Sequence, residues 1–188
     1  GTQWGDEGKG KWVHHLSSKS DITARFQGGN NAGHTIYQNN EKLVLHQLPC
    51  GLLHNKETEK HKAFLLPGVV INPSSLLEEI KSLQKHCKIS PNSLFISEKA
   101  HIISPFHGEL DSYLESSAKN PIGTTLRGIG PAYASKAARF GLRVGDYVDK
   151  EKRTAWIKEI KSSFSFLKFR IPPITPVASS KRFMSFSS

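Results

Sequence analysis

The chain opens with the stretch GTQWGDEGKGKW, residues 1–12, and this stretch decides which fold to expect. From Gly5 to Lys11 it fits the pattern G-x-x-x-x-G-K, in which backbone N–H groups surround a phosphate and a lysine neutralises it. The pattern is incomplete, because Trp12 stands where a serine or threonine would bind magnesium. The spacing predicts a phosphate-binding loop that leads into a helix over residues 8–16. The alternative is a glycine-rich turn that only begins this helix.

Composition and charge are those of one basic domain. The chain has 188 residues, of which 37% are apolar, and a formal net charge of +10. A chain of this length can bury a sizeable core. Residues 151–188 hold eight Lys/Arg and two acidic residues, so six of the ten net charges lie in this last part. Basic chains bind nucleic acids, membrane surfaces or anionic small molecules, which leaves binding of RNA or another polyanion open as an alternative function.

Cysteine usage and hydropathy indicate the compartment. Cys50 and Cys87 have neither the density of a disulfide framework nor the spacing of metal ligands. No apolar run has membrane-spanning length, and the N-terminus lacks the order of a signal peptide. We therefore expect two ordinary thiols in a reducing, cytoplasmic setting.

Short apolar runs alternate with helical patterns, which predicts an α/β fold with a largely parallel sheet. A proline-rich stretch after residue 170 interrupts regular structure. We expect residues 1–165 to form one domain and residues 166–188 to be an irregular or disordered basic tail. Strands are predicted at 21–26, 63–66, 69–71 and 93–97, a hairpin at 35–47, and helices at 72–86, 106–117 and 154–165.

Three further runs are as dense in glycine and polar side chains as the first. In QGGNNAGHT, residues 27–35, a histidine follows a glycine, and histidine can transfer a proton near neutral pH, although a lone histidine is more often structural. The run GTTLRGIGPAY, residues 123–133, combines hydroxyls, an arginine and backbone amides, which suits an anion or a turn before a helix from Pro131. The arginines of residues 138–146 suit phosphate binding or a helix C-terminus.

Together these runs resemble one family, the adenylosuccinate synthetases. The resemblance implies a P-loop-NTPase-like, mostly parallel sheet with flanking helices. It also implies a cytoplasmic, GTP-dependent ligase of purine biosynthesis that requires Mg²⁺ and joins IMP and L-aspartate to form adenylosuccinate. The matching motifs agree in order and spacing over residues 1 to about 160, and they are Gly1–Lys11, Gln27–Thr35, Val44–Leu53, Gly68–Pro73, Ile122–Tyr133 and Gly141–Glu151.

The resemblance implies roles for individual residues. Asp6 would be the base that removes the N1 proton of IMP and a Mg²⁺ ligand, His34 the acid that stabilises the transferring phosphoryl group, and Gly33 a Mg²⁺ ligand through its carbonyl. Arg139 would reach the IMP phosphate of a neighbouring subunit, which implies a homodimer. GTP would contact Gly5, Asp6, Glu7, Gly8, Lys9, Gly10, Lys11, Gly33, His34 and Thr35. IMP would contact Asp6, Glu7, Gly8, Lys9, Asn31, Ala32, Gly33, His34, Thr125 and Arg139.

The chain departs from the family pattern at three places and in length. His14 stands where the family usually has aspartate, Asn30 where it has histidine, and Leu126 where it has glycine. Family members begin with an apolar strand before the glycine loop and hold their guanine- and aspartate-recognising segments later in the chain. We expect this chain to correspond to the N-terminal portion of such an enzyme, truncated at both ends, and to be catalytically inactive as it stands.

Overall fold

The computed structural model describes residues 8–38, 41–55 and 60–165, which form a mixed α/β structure. In this part no helix has the length and apolar character that a membrane span requires. The helices are α1 Lys9–Ser17, α2 Pro73–Leu83, α3 Pro105–Ser117, α4 Ile129–Ala137, α5 Val144–Val148 and α6 Lys150–Ser163, with a 3-10 helix at Cys50–His54. The strands are β1 Ile22–Arg25, β2 His34–Gln38, β3 Glu41–Leu45, β4 Lys62–Leu65, β5 Val70–Ile71, β6 Leu94–Ile96 and β7 His101–Ile102.

Parallel strand pairs dominate the topology, as the sequence predicts. Strands β1, β4 and β6 form a parallel sheet in that order, with Ile22 paired to Lys62. Strands β5 and β7 form a second parallel pair, while β2 and β3 form an antiparallel hairpin. The break in the predicted strand around Pro67 is real, and it separates β4 and β5 into different sheets.

Side-chain caps set the helix boundaries more closely than the hydrophobic pattern does. The Asn72 side chain accepts a hydrogen bond from Ser75 N at 3.1 Å, and Pro73 occupies the first turn of α2. Helix α2 ends at Leu83, three residues before the predicted end. Helix α6 starts four residues earlier than predicted, because the Asp149 carboxylate accepts hydrogen bonds from the backbone N–H groups of Glu151 and Lys152.

The last helix is docked onto the core by an aromatic contact. Trp156 of α6 packs edge-on against the buried Phe106 of α3, with ring centroids 6.5 Å apart. Its indole Nε1 donates a hydrogen bond to the Phe140 carbonyl at 2.7 Å. Helix α5, strand β7 and the 3-10 helix are not predicted from the sequence, because each is too short to show a period.

Some of the predictions concern residues outside the described part. Gly5, Asp6 and Glu7 precede residue 8, and the predicted irregular tail at 166–188 follows residue 165.

Candidate functional site

The N-terminus of α1 is built to face an anion. Gly8 precedes the helix with a φ of 69°, no side chain among the described residues caps this end, and the first turn contains no acidic residue. The Lys11 N–H donates to the Gly8 carbonyl at 3.0 Å, and the helix dipole adds partial positive charge at this end of the helix. Lys9 and Lys11 add two cationic side chains at the same end. This arrangement suits a phosphate group.

At Gly10, the N-terminal end of α1 contacts the second glycine-rich run, residues 27–35. A β-carbon at Gly10 would lie 2.9 Å from the His34 Cβ and 3.4 Å from its Cα, closer than side chains pack. Glycine at this position therefore allows the first turn of α1 to rest on the start of β2. Two segments that are separate in the sequence, residues 8–11 and 33–35, form one surface.

The electrostatic surroundings of His34 favour the neutral imidazole. Partial burial lowers the pKa of His34, and the nearby Arg25, His46 and Lys9 lower it further. The ring is therefore uncharged at neutral pH in the absence of a ligand. A polyphosphate beside the same residues would oppose these positive charges and raise the pKa of His34.

Arg25 organises the loop that leads to His34. Its guanidinium donates to the Gly29 carbonyl at 2.7 Å and also to the His46 carbonyl, so it joins the end of β1 to the end of the hairpin. Burial lowers the pKa of this guanidinium, while the nearby Glu79 raises it. Sequence reasoning did not single out Arg25, because an arginine at the end of a short strand has no distinguishing pattern.

A buried carboxylate fixes the backbone that follows β3. Glu79 of α2 accepts hydrogen bonds from the backbone N–H groups of His46 at 2.9 Å, Gln47 at 2.9 Å and Leu48 at 3.0 Å. The His46 ring in turn makes a hydrogen bond with the Ala32 carbonyl at 2.9 Å. Glu79 was also missed, since an acidic residue in a predicted amphipathic helix usually faces solvent.

The glycine-rich run at residues 123–133 packs against the run at residues 27–35. Arg127 donates a hydrogen bond to the Asn30 carbonyl. The Tyr133 hydroxyl lies 2.8 Å from both Gly28 N and the Gly68 carbonyl, so it accepts from the former and donates to the latter. The loop that carries Thr125 is therefore fixed to the loop that carries His34.

Two cavities lie beside the contact between residues 27–35 and residues 123–133. The larger, of about 830 Å³, has Asn31, Tyr133 and Lys136 among its lining residues, together with the exposed ring of Phe26. The smaller, of about 340 Å³, lies between α2 and β3, and the carbonyl oxygen of the Asn30 side chain is buried beside it with no hydrogen-bond partner among the described residues.

The structure brings some of the described candidate residues into contact. Arg139 follows α4, exposed and with a φ of 67°, and it does not line either cavity. Lys136 and Ala137, which precede Arg139 by two to three residues, line the larger cavity together with Asn31. Gly10 lies against His34, Asn31 lines the larger cavity, and the loop of Thr125 is joined to residues 27–35 through Arg127 and Asn30.

The described residues contain no trio of His, Cys, Asp or Glu side chains arranged to hold a metal ion. Of the two predicted magnesium ligands, Gly33 is exposed in the second loop and Asp6 lies outside the described part. A carbonyl and a carboxylate are hard oxygen donors, which is the ligand chemistry that Mg²⁺ prefers.

The parallel sheet with flanking helices, and the glycine loop at the start of α1, define an α/β protein with a P-loop-like fold. A family model described as adenylosuccinate synthetase matches residues 1–183. This chain belongs to that family. The match includes residues beyond Phe164, where the resemblance read from the motifs fades.

Individual relatives agree with the family match. An adenylosuccinate synthetase of Desulfotalea psychrophila is 44% identical over 194 residues, covering 100% of this chain and 43% of that protein. One of Exiguobacterium sibiricum is 50% identical over 153 residues, covering 80% of this chain and 34% of that protein. A solved structure of a fully ligated adenylosuccinate synthetase from Plasmodium falciparum superposes with a TM-score of 0.78 at 41% identity, over 90% of this chain and 40% of that one. The chain thus spans about two fifths or less of the length of these relatives.

Proposed function

We propose that this chain supplies the phosphate- and IMP-binding portion of a GTP-dependent ligase that joins IMP and L-aspartate to form adenylosuccinate. The contact between Gly10 and His34 carries this proposal. It unites an anion-binding helix terminus with a histidine whose protonation responds to nearby charge. The 188 residues span about two fifths or less of the length of these relatives, so we expect them by themselves to bind without turnover.

The chemistry requires activation of a poor leaving group. A base removes the N1 proton of IMP, and the 6-oxygen attacks the γ-phosphorus of GTP, which releases GDP. The amine of aspartate then attacks C6, and inorganic phosphate leaves with the 6-oxygen. Such phosphoryl transfer depends mainly on positioning and on stabilising charge.

The proposed roles follow from this sequence of steps. Asp6 acts as the base at N1. Lys9, Lys11 and the backbone of Gly5 to Gly10 bind the GTP phosphates. His34, neutral in the resting protein, acquires positive character as phosphate charge accumulates and donates a hydrogen bond to the transferring group.

A magnesium ion would be held by the Asp6 carboxylate and the Gly33 carbonyl, and it supplies shielding of the phosphate charge when bound. Asn31, Ala32 and Thr125 contact IMP beside the larger cavity. By the family resemblance, Arg139 would serve the IMP phosphate of a neighbouring subunit, and we propose a homodimer on that ground.

Calorimetric titration of the 188-residue chain with IMP, AMP and GMP tests the proposal. We expect IMP to bind most tightly. Asn31→Ala should weaken binding roughly tenfold through loss of a hydrogen bond, about 1.4 kcal/mol. Asn92→Ala, which changes an exposed amide before β6, should leave binding unchanged. Equal affinity for the three nucleotides, or equal behaviour of the two variants, would contradict the proposal.

The same titration separates the polyanion alternative. Polyanion binding should fall steeply as salt is raised, because it releases condensed counterions. It should also not distinguish one purine base from another. Binding of IMP that keeps its preference over AMP and GMP at raised salt would favour the ligase function.

A further inference from the structure

Helix α3 holds both ends of the loop at residues 123–128. The Asp111 side chain, only 7% exposed, accepts a hydrogen bond from Gly128 N at 2.9 Å through Oδ2 and one from the Thr124 hydroxyl at 3.1 Å through Oδ1. One helical turn later, the Glu115 carboxylate accepts from Gly123 N. Three polar groups of the loop are thus bound by two carboxylates on one helix face.

This loop contains backbone conformations that need an external hold. Leu126 has a φ of 54°, a left-handed conformation that costs free energy for any residue with a β-carbon. Its own N–H reaches the Thr124 hydroxyl only at 3.4 Å, which is too long to offset that cost. The strained residue lies between the two groups that bind Asp111, so the carboxylate opposes relaxation of the loop from both sides.

The loop is also the link between α3 and the candidate site. Thr125 is exposed, while its neighbour Thr124 points to Asp111. Arg127 joins the loop to the Asn30 carbonyl. The Asp111 carboxylate further lies at the N-terminus of α4, where the helix dipole favours a negative charge.

We propose that Asp111 is a positioning residue, which holds the 123–128 loop, against the strain at Leu126, in the conformation that presents Thr125 to the IMP. This inference rests on the proposed function for the identity of the ligand. It requires no contact between Asp111 and the ligand.

Hydrogen exchange of the loop amides and calorimetric titration with IMP test this inference on the 188-residue chain. In Asp111→Asn one oxygen is replaced by an N–H₂ group, which cannot accept a hydrogen bond. We expect the loop amides to exchange about tenfold faster and IMP affinity to fall about tenfold, the effect of one lost charge-assisted hydrogen bond. The matched control is Glu109→Gln, which neutralises an exposed carboxylate on the same helix and should change neither quantity.

A second substitution distinguishes positioning from a general structural role. Glycine adopts the left-handed conformation without a β-carbon penalty, so adding Leu126→Gly to Asp111→Asn should recover part of the IMP affinity. If Asp111 only stabilised the fold, Leu126→Gly would raise IMP affinity in Asp111→Asn by no more than it does in the unmodified chain, so that single variant is measured beside the double one.

Each outcome decides the inference. Loop exchange and affinity in Asp111→Asn equal to those of Glu109→Gln would overturn it. If the unmodified chain binds no IMP while Asp111→Asn still accelerates loop exchange, the hold on the loop is supported and the proposed function fails instead. If Asp111→Asn does not fold, Thr124→Val removes one of the two donors. Accelerated exchange at 123–128 would then support the inference, and unchanged exchange would overturn it.

Discussion

Gly10 and His34 approach so closely that a single added methyl group has no room between them. We therefore expect Gly10→Ala to reduce the free energy of unfolding by about 1–3 kcal/mol, as overpacking does in other cores. Alanine otherwise favours helices over glycine, so the sign of the change is informative. Chemical denaturation measures it. Gly130→Ala, in the first turn of α4 with nothing within 4 Å of the added carbon, is the control and should be neutral or stabilising.

The pKa of His34 should respond to phosphate. In the ligand-free chain burial lowers this pKa below 6.5, and Arg25, His46 and Lys9 act in the same direction. Titration followed by the imidazole NMR signals should show a low value that rises when tripolyphosphate or GTP is added. An unchanged His34 pKa with phosphate bound would remove it from the phosphate site.

His107 should make stability depend on pH. It is fully buried, accepts a hydrogen bond from Ser104 N at 3.0 Å and contacts the Ser135 hydroxyl at 3.1 Å. Burial lowers the pKa of His107 to about 4, while the unfolded chain titrates near 6.5. Above pH 6.5 both states are neutral. As pH falls from 6.5 toward 4 only the unfolded state gains the proton, so the fold loses up to about 3 kcal/mol.

Comparison with His107→Asn isolates this contribution. The variant keeps an acceptor for Ser104 N but has no group that titrates in this range. Its unfolding free energy should be lower at pH 7 and should change less between pH 6.5 and 4.5. Parallel curves for the two proteins would assign the pH dependence to other groups.

Substitutions at Leu126 and Gly128, both in the 123–128 loop, should change the stability of the fold in opposite directions. Gly128 has a φ of 73°, and a β-carbon there would lie 2.6 Å from the His107 carbonyl carbon, so Gly128→Ala should destabilise by about 2 kcal/mol or more. Leu126→Gly relieves a left-handed leucine and should stabilise by about 1 kcal/mol. Thermal denaturation of both variants checks the pair. A destabilising Leu126→Gly would show that the leucine side chain contributes more than its backbone costs.

Glu79 should matter far more than its neighbour Glu78. Its carboxylate accepts hydrogen bonds from three consecutive backbone N–H groups, whereas Glu78 is exposed on the same helix. Glu79→Gln should cost roughly 2–4 kcal/mol, because one oxygen becomes a donor that faces other donors. Glu78→Gln should change stability by less than about 0.5 kcal/mol. Equal unfolding midpoints would contradict the importance of this carboxylate.

The elements that the sequence predicted well are those whose signals are local. Helix α2 has a side-chain cap at Asn72, a proline in its first turn and an apolar face. It ends three residues before the end that the sequence predicts. The alternation of strands and helices likewise predicted the parallel pairing. Six motifs in order carry the resemblance to the family. The family model that matches residues 1–183 confirms it.

The residues that sequence reasoning missed act over long separations. Glu79 binds residues more than thirty positions earlier, and Tyr133 reaches Gly28 across 105 positions. Neither has a periodic or motif signature, because the partner is set only when the sheet forms. The three departures from the family pattern were visible in the sequence. The free-energy cost of a leucine at position 126 became clear only from its left-handed backbone conformation.

The parallel pairing of β1 with β4 has a consequence for how the chain folds. Ile22 pairs with Lys62, and β4 in turn pairs with residues after position 93, so each parallel strand pair in the described part closes a loop of thirty to forty residues, unlike the local β2–β3 hairpin. The chain loses conformational entropy when it closes such loops. This loss comes before the strand contacts that offset it can form, which slows folding. During synthesis, β1 must leave the ribosome and remain unpaired until β4 follows, and its exposed edge is then most open to association with other nascent chains.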